Sequence, residues 1–395
     1  MYWLGLDFGT SGARACLLDE RGNPVWQQAV AWNGDAMSPD SWSQALAALL
    51  SALPAGHAGR LAAIALDATS GTALLVGNGQ EILSPVLPYS LALPDIAARL
   101  AWLAQQRDME APARLVHQAD WLNTLLLGQP APSDWHNALK SGFDPQQLAW
   151  SDTARENPAG IILPEVVEPG STLGTIDRQL ANRHGIHREC RIVAGTTDSI
   201  AATLAAGPGA PGEAVTSLGS TLALKLVSPQ PVRDPASGVY SHRLGNVWLA
   251  AGASNSGGAV LRQYFSDAEL KRLSAAIDPQ RDSPFDYYPL PSDGERFPYF
   301  DPQRQSRVTP RPADPVAFLH ALLQGIARIE VAGYARLAAL GAPMLLRVAT
   351  AGGGSANPQW QALRQRLLGV PVERALNSEA ACGSAWLALN GTIRL

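Results

Sequence analysis

At 395 residues, 46% of them hydrophobic and 16% charged, the chain is long enough for two cores and too apolar to stay disordered. A formal net charge of −4 with no basic run leaves no electrostatic footprint for nucleic acid or an anionic membrane, so a small-molecule partner is expected. Cys16, Cys190 and Cys382 are odd in number and far apart, and read as buried thiols of a reducing cytoplasm rather than as a disulfide or metal framework.

In chain order, YWLGLDFGTSGARACLLDERGNPVW reads as strand, turn, strand, turn and strand, an antiparallel meander. An amphipathic helix is expected over 39–53, opened by Ser38 and Pro39. RLAAIALDAT and SGTALLVGNG suggest a second strand–turn–strand hairpin, and 94–108 and 111–127 suggest helices. SDWHNALKSGFD reads as a loop of specific shape, and RIVAG (191–195) as a short buried strand running into a helix at TTDSIAATLAAG. After the turn GPGAPG come the strand EAVTSLGST and its return LALKLVS, repeating the N-terminal theme, so the chain reads as two related halves. The stretch 284–315, crowded with proline and aromatics, predicts a long ordered loop, followed by a helix over 316–340, the strand LLRVATAGGG, the helix NPQWQALRQRLLG and the helix EAACGSAWLALNG. Strands interleaved with helices imply an α/β protein. No basic leader and no membrane span are read, so a cytoplasmic location is expected.

A turn rich in Gly, Ser and Thr gathers backbone N–H groups and hydroxyls into a concavity suited to phosphate, and DFGTSG (7–12) is such a turn. Asp7 before it is either a turn-forming residue or a carboxylate able to hold Mg²⁺ against phosphate oxygens. SLGST (217–221) offers a second such turn. TAGGGSANPQW (350–360) carries three consecutive glycines, suiting either backbone laid flat on a planar ligand or a plain loop capped by Asn357 and Pro358. Asp198, where a buried strand meets a helix, reads both as an N-cap and as a general base for an attacking hydroxyl. GPGAPG is a turn rather than a dinucleotide fingerprint, no GxxxxGK[ST] is present, and HGIH (184–187) lacks the partners of a zinc site.

Together these segments resemble the FGGY carbohydrate kinases of the actin-like ATPase superfamily. LGLDFGTSGARACLLDERG looks like the first phosphate motif, AGTTDSIAATLAAG the catalytic-aspartate motif, SLGST the second phosphate motif, GERFPYFDP (294–302) the GERxPxxDP segment and TAGGGSANPQW the adenosine motif. HQADWLNTLLLG, SDWHNALKSGFD and GVYSHRLG look closest to the short plant and cyanobacterial type of D-ribulose kinase. The resemblance implies two ribonuclease-H-like domains, 1–205 with 379–395 and 206–378, hinged about a central cleft that closes on ATP, Mg²⁺ and a sugar. It makes Asp198 the base and Asp7 the metal ligand, with Asp7, Ser11, Gly12, Ala13, Arg14 and Ser70 on the sugar. Thr10, Gly219, Ser220 and Thr221 would face the phosphates, and Asn255, Gly257, Gly353, Gly354, Asn357 and Trp360 the nucleoside. Longer members follow the second hairpin with an aromatic-x-Asp-x-Arg segment, whereas here Tyr89 precedes Ser90 and Leu91. The expected reaction is phosphorylation of a ketopentose at a primary hydroxyl, D-ribulose first and D-xylulose, another pentulose or a polyol as alternatives, by a monomer or homodimer. A non-catalytic actin-like ATPase or sugar sensor is the reading from another class.

Overall fold

The structure, a computed structural model, describes residues 1–106, 112–157 and 159–394. The chain divides into two compact units, Met1–Ala205 with Glu379–Arg394, and Ala206–Ser378.

Unit 1 is built on a six-stranded sheet. Its strands are β1 (Tyr2–Gly9), β2 (Gly12–Leu18), β3 (Pro24–Val30), β4 (Leu61–Ala68), β5 (Thr172–Thr175) and β6 (Arg191–Thr197). They lie in the order β5-β6-β4-β1-β2-β3, with β1, β2 and β3 an antiparallel meander, and β4 and β6 parallel to β1. The apolar run LAAIALDA of β4 is almost wholly buried because both of its edges are taken, by β1 and by β6. That occupancy corrects the second expected hairpin. Ala73–Val76 does not pair with β4 but leaves the sheet and pairs with Arg114–His117. The same pairing corrects the expected 111–127 helix, whose residues 114–117 are strand and whose helical part is Gln118–Leu127. The preceding helix is Ile96–Gln105, and the expected helical positions 107, 108 and 111 lie outside the described residues.

The helix Ala380–Asn390 packs on β1 and β4 at very close range. A Cβ added at Gly5 would fall 1.8 Å from the Ala381 carbonyl oxygen, and one at Gly383 would fall 1.8 Å from that of Ala201. Only bare backbone lets the helix and strand approach this far. The same approach sets Cys16 of β2 beside Cys382, 5.1 Å apart at Cα and joined as a disulfide. Their wide separation in sequence gave no sign of this, so the reading of both as free thiols is corrected, while Cys190 is a buried free thiol whose pKa burial pushes up to about 12.

Unit 2 repeats the plan with β7 (Glu213–Leu218), β8 (Leu222–Ser228), β9 (Tyr240–Leu244), β10 (Val247–Ser254), β11 (Arg347–Ala351) and β12 (Val372–Arg374). The order is β9-β10-β8-β7-β11-β12, again an antiparallel set beside strands parallel to the hairpin's first member. The helix Pro315–Ala339 is long and apolar enough by length and composition to cross a membrane, but two-thirds of that stretch is buried inside unit 2. From it Glu330 receives both Nε (2.6 Å) and Nη2 (2.6 Å) of Arg364, and Thr216 donates to the same carboxylate at 2.6 Å. Arg364 also donates to Thr350. This solvent-free ion pair therefore pins β7 and β11 to the two helices behind them.

Two outcomes are expected from urea unfolding. Gly5→Ala should cost about 3 kcal/mol, the upper end of the range for overpacking. Arg364→Met, which strands the Glu330 charge, should cost roughly 3–5 kcal/mol.

Candidate active site

In unit 1 three aspartates lie at or just past the C-terminal ends of adjacent parallel strands. Asp7 of β1 stands opposite Asp67 of β4, and Asp67 stands opposite Thr196 of β6, two residues before Asp198. Asp67 is fully buried and accepts a hydrogen bond from Ser384 Oγ at 2.6 Å, while its Oδ1 has no partner. Burial, then the nearby Asp7 charge, raises its carboxyl well above the usual range. Asp7 is also raised by burial, opposed by its hydrogen bond with Asp67 and by Arg14. Both carboxyls of this adjacent pair are therefore pushed toward the protonated form, Asp67 the more strongly. Asp67 went unread in the sequence, although the DFG and LDA strand ends are the signal that matches them.

The β1–β2 turn spans Gly9 to Gly12, with Thr10 and Ser11 exposed at its tip. Arg14 donates to Asp7 Oδ2 at 3.3 Å and to Ser11 Oγ at 3.1 Å. Gly12 is packed against the Val30 carbonyl and Ala13 is buried in the sheet core. Neither offers an exposed side chain; Thr10, Ser11 and Arg14 are the turn's accessible polar groups. Asp198 is half-buried at the start of the helix Asp198–Ala206, and its Oδ1 accepts the Ser199 amide at 2.6 Å.

The segment after Ser133 fixes that end of β6. Asp134 caps the short helix Trp135–Ala138, accepting from the amides of His136 and Asn137. Asn137 then donates to Asp134 Oδ2 at 2.6 Å and to the Thr196 carbonyl at 3.1 Å, and His136 Nδ1 lies 2.7 Å from Thr196 Oγ1. Ser70, half-buried, lends its carbonyl to Lys140 at 3.0 Å.

In unit 2 three glycine-containing turns meet. Gly258 and Ala259 donate to the Gly219 and Ser220 carbonyls at 2.9 and 3.1 Å, and Leu222 donates to the Ser256 carbonyl at 2.7 Å. A Cβ at Gly257 would fall 2.7 Å from Ser220 O, and one at Gly352 would fall 2.7 Å from Leu218 O. Ser220 and Thr221 are exposed, Gly219 half-buried, and nothing lies within 4 Å of the missing Cβ of Gly353. The buried Glu295 of the GER segment clamps the middle turn, accepting from Ser254 Oγ, the Asn255 amide and Tyr288 Oη. Asn255 also donates to the Gly294 carbonyl. Asn357 caps the helix Pro358–Leu368 and donates to Ser274. Trp360 is corrected: it is a core residue at 2% exposure, donating to the Leu323 carbonyl, with its ring edge beneath Gly354. It supports the glycine loop from below and has no face to give a base.

A two-sheet α/β chain of this design has the fold of the actin-like ATPases. A "xyloylose kinase" structure from Brucella ovis superposes with a TM-score of 0.83 over 98% of this chain and 90% of that one, at 23% identity. The FGGY family of carbohydrate kinases, C-terminal domain, matches residues 214–391. Residues 214–391 are thus similar to the C-terminal domain of the FGGY carbohydrate kinases, and the likeness of the rest of the chain is one of fold. Among curated relatives, a probable D-xylulose kinase A of Aspergillus flavus is 27% identical over 51% of this chain and 37% of its own. An autoinducer-2 kinase of Yersinia enterocolitica is 26% identical over 71% of this chain and 58% of its own. The chain thus spans well under two-thirds of the length of these relatives in the matched stretches.

Burial pushes Asp134 up to about 6 against the opposing amides of its own helix. The folded state then keeps a proton that the unfolded chain releases near pH 4, so this group's stabilisation falls as pH rises from about 4 to 6. Asp134→Asn should therefore gain on the wild type across that window, by on the order of 3 kcal/mol, and run parallel to it above. Urea unfolding in half-unit pH steps reads the difference.

Proposed function

We propose that the protein transfers the γ-phosphoryl group of ATP to a primary hydroxyl of a ketopentose. The observation that carries this reading is a division of chemistry between two similarly built units. Unit 1 ends its parallel strands in the carboxyl groups of Asp7, Asp67 and Asp198; unit 2 ends its own in turns of backbone amides and hydroxyls, Ser217–Thr221, Ser254–Gly258 and Gly352–Gly354, with no carboxylate among them. Amide-lined turns suit polyphosphate, and ionisable carboxylates suit deprotonating a hydroxyl and holding a metal.

Among the described residues no three His, Cys, Asp or Glu side chains gather to hold a metal. That suits Mg²⁺, which needs only one or two protein carboxylates when it rides on nucleotide phosphates. Asp7 is the residue that would hold it, and bound Mg²⁺ would neutralise charge developing on the transferred group. Arg14, donating to Asp7 Oδ2, favours the ionised form of that carboxylate. Asp198 takes the proton of the attacking hydroxyl. Gly219, Ser220 and Thr221 orient phosphate oxygens, with Gly257 and Gly352 letting the neighbouring turns close on them.

The segments resembling the short D-ribulose kinases favour D-ribulose, and the relatives named for D-xylulose favour its C3 epimer. One hydroxyl's placement separates the two, and the contacts that read it are pocket contacts rather than motif residues. Purified protein with ATP and Mg²⁺ against pentuloses, pentoses, hexoses and polyols should release ADP fastest with a ketopentose; no release above background with any of them overturns the kinase reading. Asp198→Ala should lose roughly 10²- to 10⁴-fold in kcat with an unchanged melting temperature.

A further inference from the structure

The turn that carries Ser70 is held by two cations that neither the fold nor the phosphate chemistry requires. Lys140, in the 3₁₀ turn Leu139–Ser141, donates from Nζ to the Ser70 carbonyl at 3.0 Å. Its stem lies on Gly71, where a Cβ would fall 2.6 Å from Lys140 Cδ and where φ is +85°. Arg99, nine-tenths buried on the helix Ile96–Gln105, donates to the Gly71 carbonyl and leaves its Nε without a partner. Arg99 is also the first arginine after the Tyr89–Ser90–Leu91 segment. The Lys140 ammonium is within the field of both neighbours: burial and Arg99 lower its pKa, and Asp198 opposes them. All five residues belong to unit 1.

An ammonium has three donors and no acceptor, and Lys140 spends one on Ser70. Lys140 is exposed, so its other two donors are open to a ligand oxygen, and a carbonyl or carboxylate oxygen accepts without a proton of its own to place. We propose that Lys140 determines acceptor specificity by donating to an sp² oxygen of the substrate, the carbonyl of an open-chain ketose or the carboxylate of a sugar acid. Asp198 meets the hydroxyl to be phosphorylated. This rests on the kinase reading above.

The test compares a ketopentose, the pentonate of the same length and the matching pentitol, for the wild type, Lys140→Met and Lys140→Arg. Lys140→Met should lose roughly 10- to 100-fold in kcat/KM on whichever of ketose or pentonate is the better substrate, mainly through KM, the scale of a hydrogen bond to a charged group. Its loss on the pentitol should be less than about threefold, and Lys140→Arg should recover part of the selectivity. Equal losses on all three substrates, with a lowered melting temperature, would make Lys140 only a strut for the Ser70 turn and overturn the proposal; unchanged selectivity would overturn it too. Calorimetric binding of the same three compounds without ATP reads the ranking independently of turnover. A wild type that binds in the expected order but transfers no phosphate therefore defeats the kinase reading and leaves the role of Lys140 standing.

Discussion

Everything in unit 1 depends on how closely the helix Ala380–Asn390 lies on β1. With the Ala381 carbonyl 1.8 Å from where a Gly5 side chain would begin, the contact admits no substituent. It brings Ser384 onto Asp67 and Cys382 onto Cys16, and it sets Glu379 3.9 Å from Arg14. A segment that follows unit 2 in sequence thus completes the floor under Asp7. Dispersion and apolar burial along Gly5, Ala381 and Ala385 supply the attraction, Gly5 removes the repulsion that would otherwise oppose it, and Gly383 does the same against Ala201 of the helix Asp198–Ala206.

Buried charge is treated differently in the two units, and the difference follows function. In unit 2 the Glu330–Arg364 pair and the Glu295 clamp are fully satisfied, so the turns above them are held rigidly while carrying no charge themselves. In unit 1 burial raises the pKa of both Asp7 and Asp67, and Asp67 keeps an orphan Oδ1. Incomplete satisfaction at such depth costs stability.

Much of this was legible beforehand where local chemistry decides structure. The meander from Tyr2 to Val30, the turn at 217–221, the strand before Asp198 and the long helix beginning near Pro315 follow from alternation, turn residues and helix-start signals. The misreadings share one cause. Ala73–Val76, Arg114–His117 and the Cys16–Cys382 pair were each read from local pattern or spacing, whereas partners distant in the chain settle their places.

The sequence by itself determined that there are two similar halves, that each opens on a strand–turn–strand, and that Asp198 stands at a strand-to-helix junction, because those features are written in contiguous residues. Only the tertiary structure decided that Asp67 stands beside Asp7, that Glu295 holds the turn at 254–258, and that Lys140 and Arg99 grip the turn at Ser70. Those relations arise from parallel strand register and from helices returning to the sheet, and register between strands some 60 residues apart is set by the packing of a whole core rather than by any local pattern.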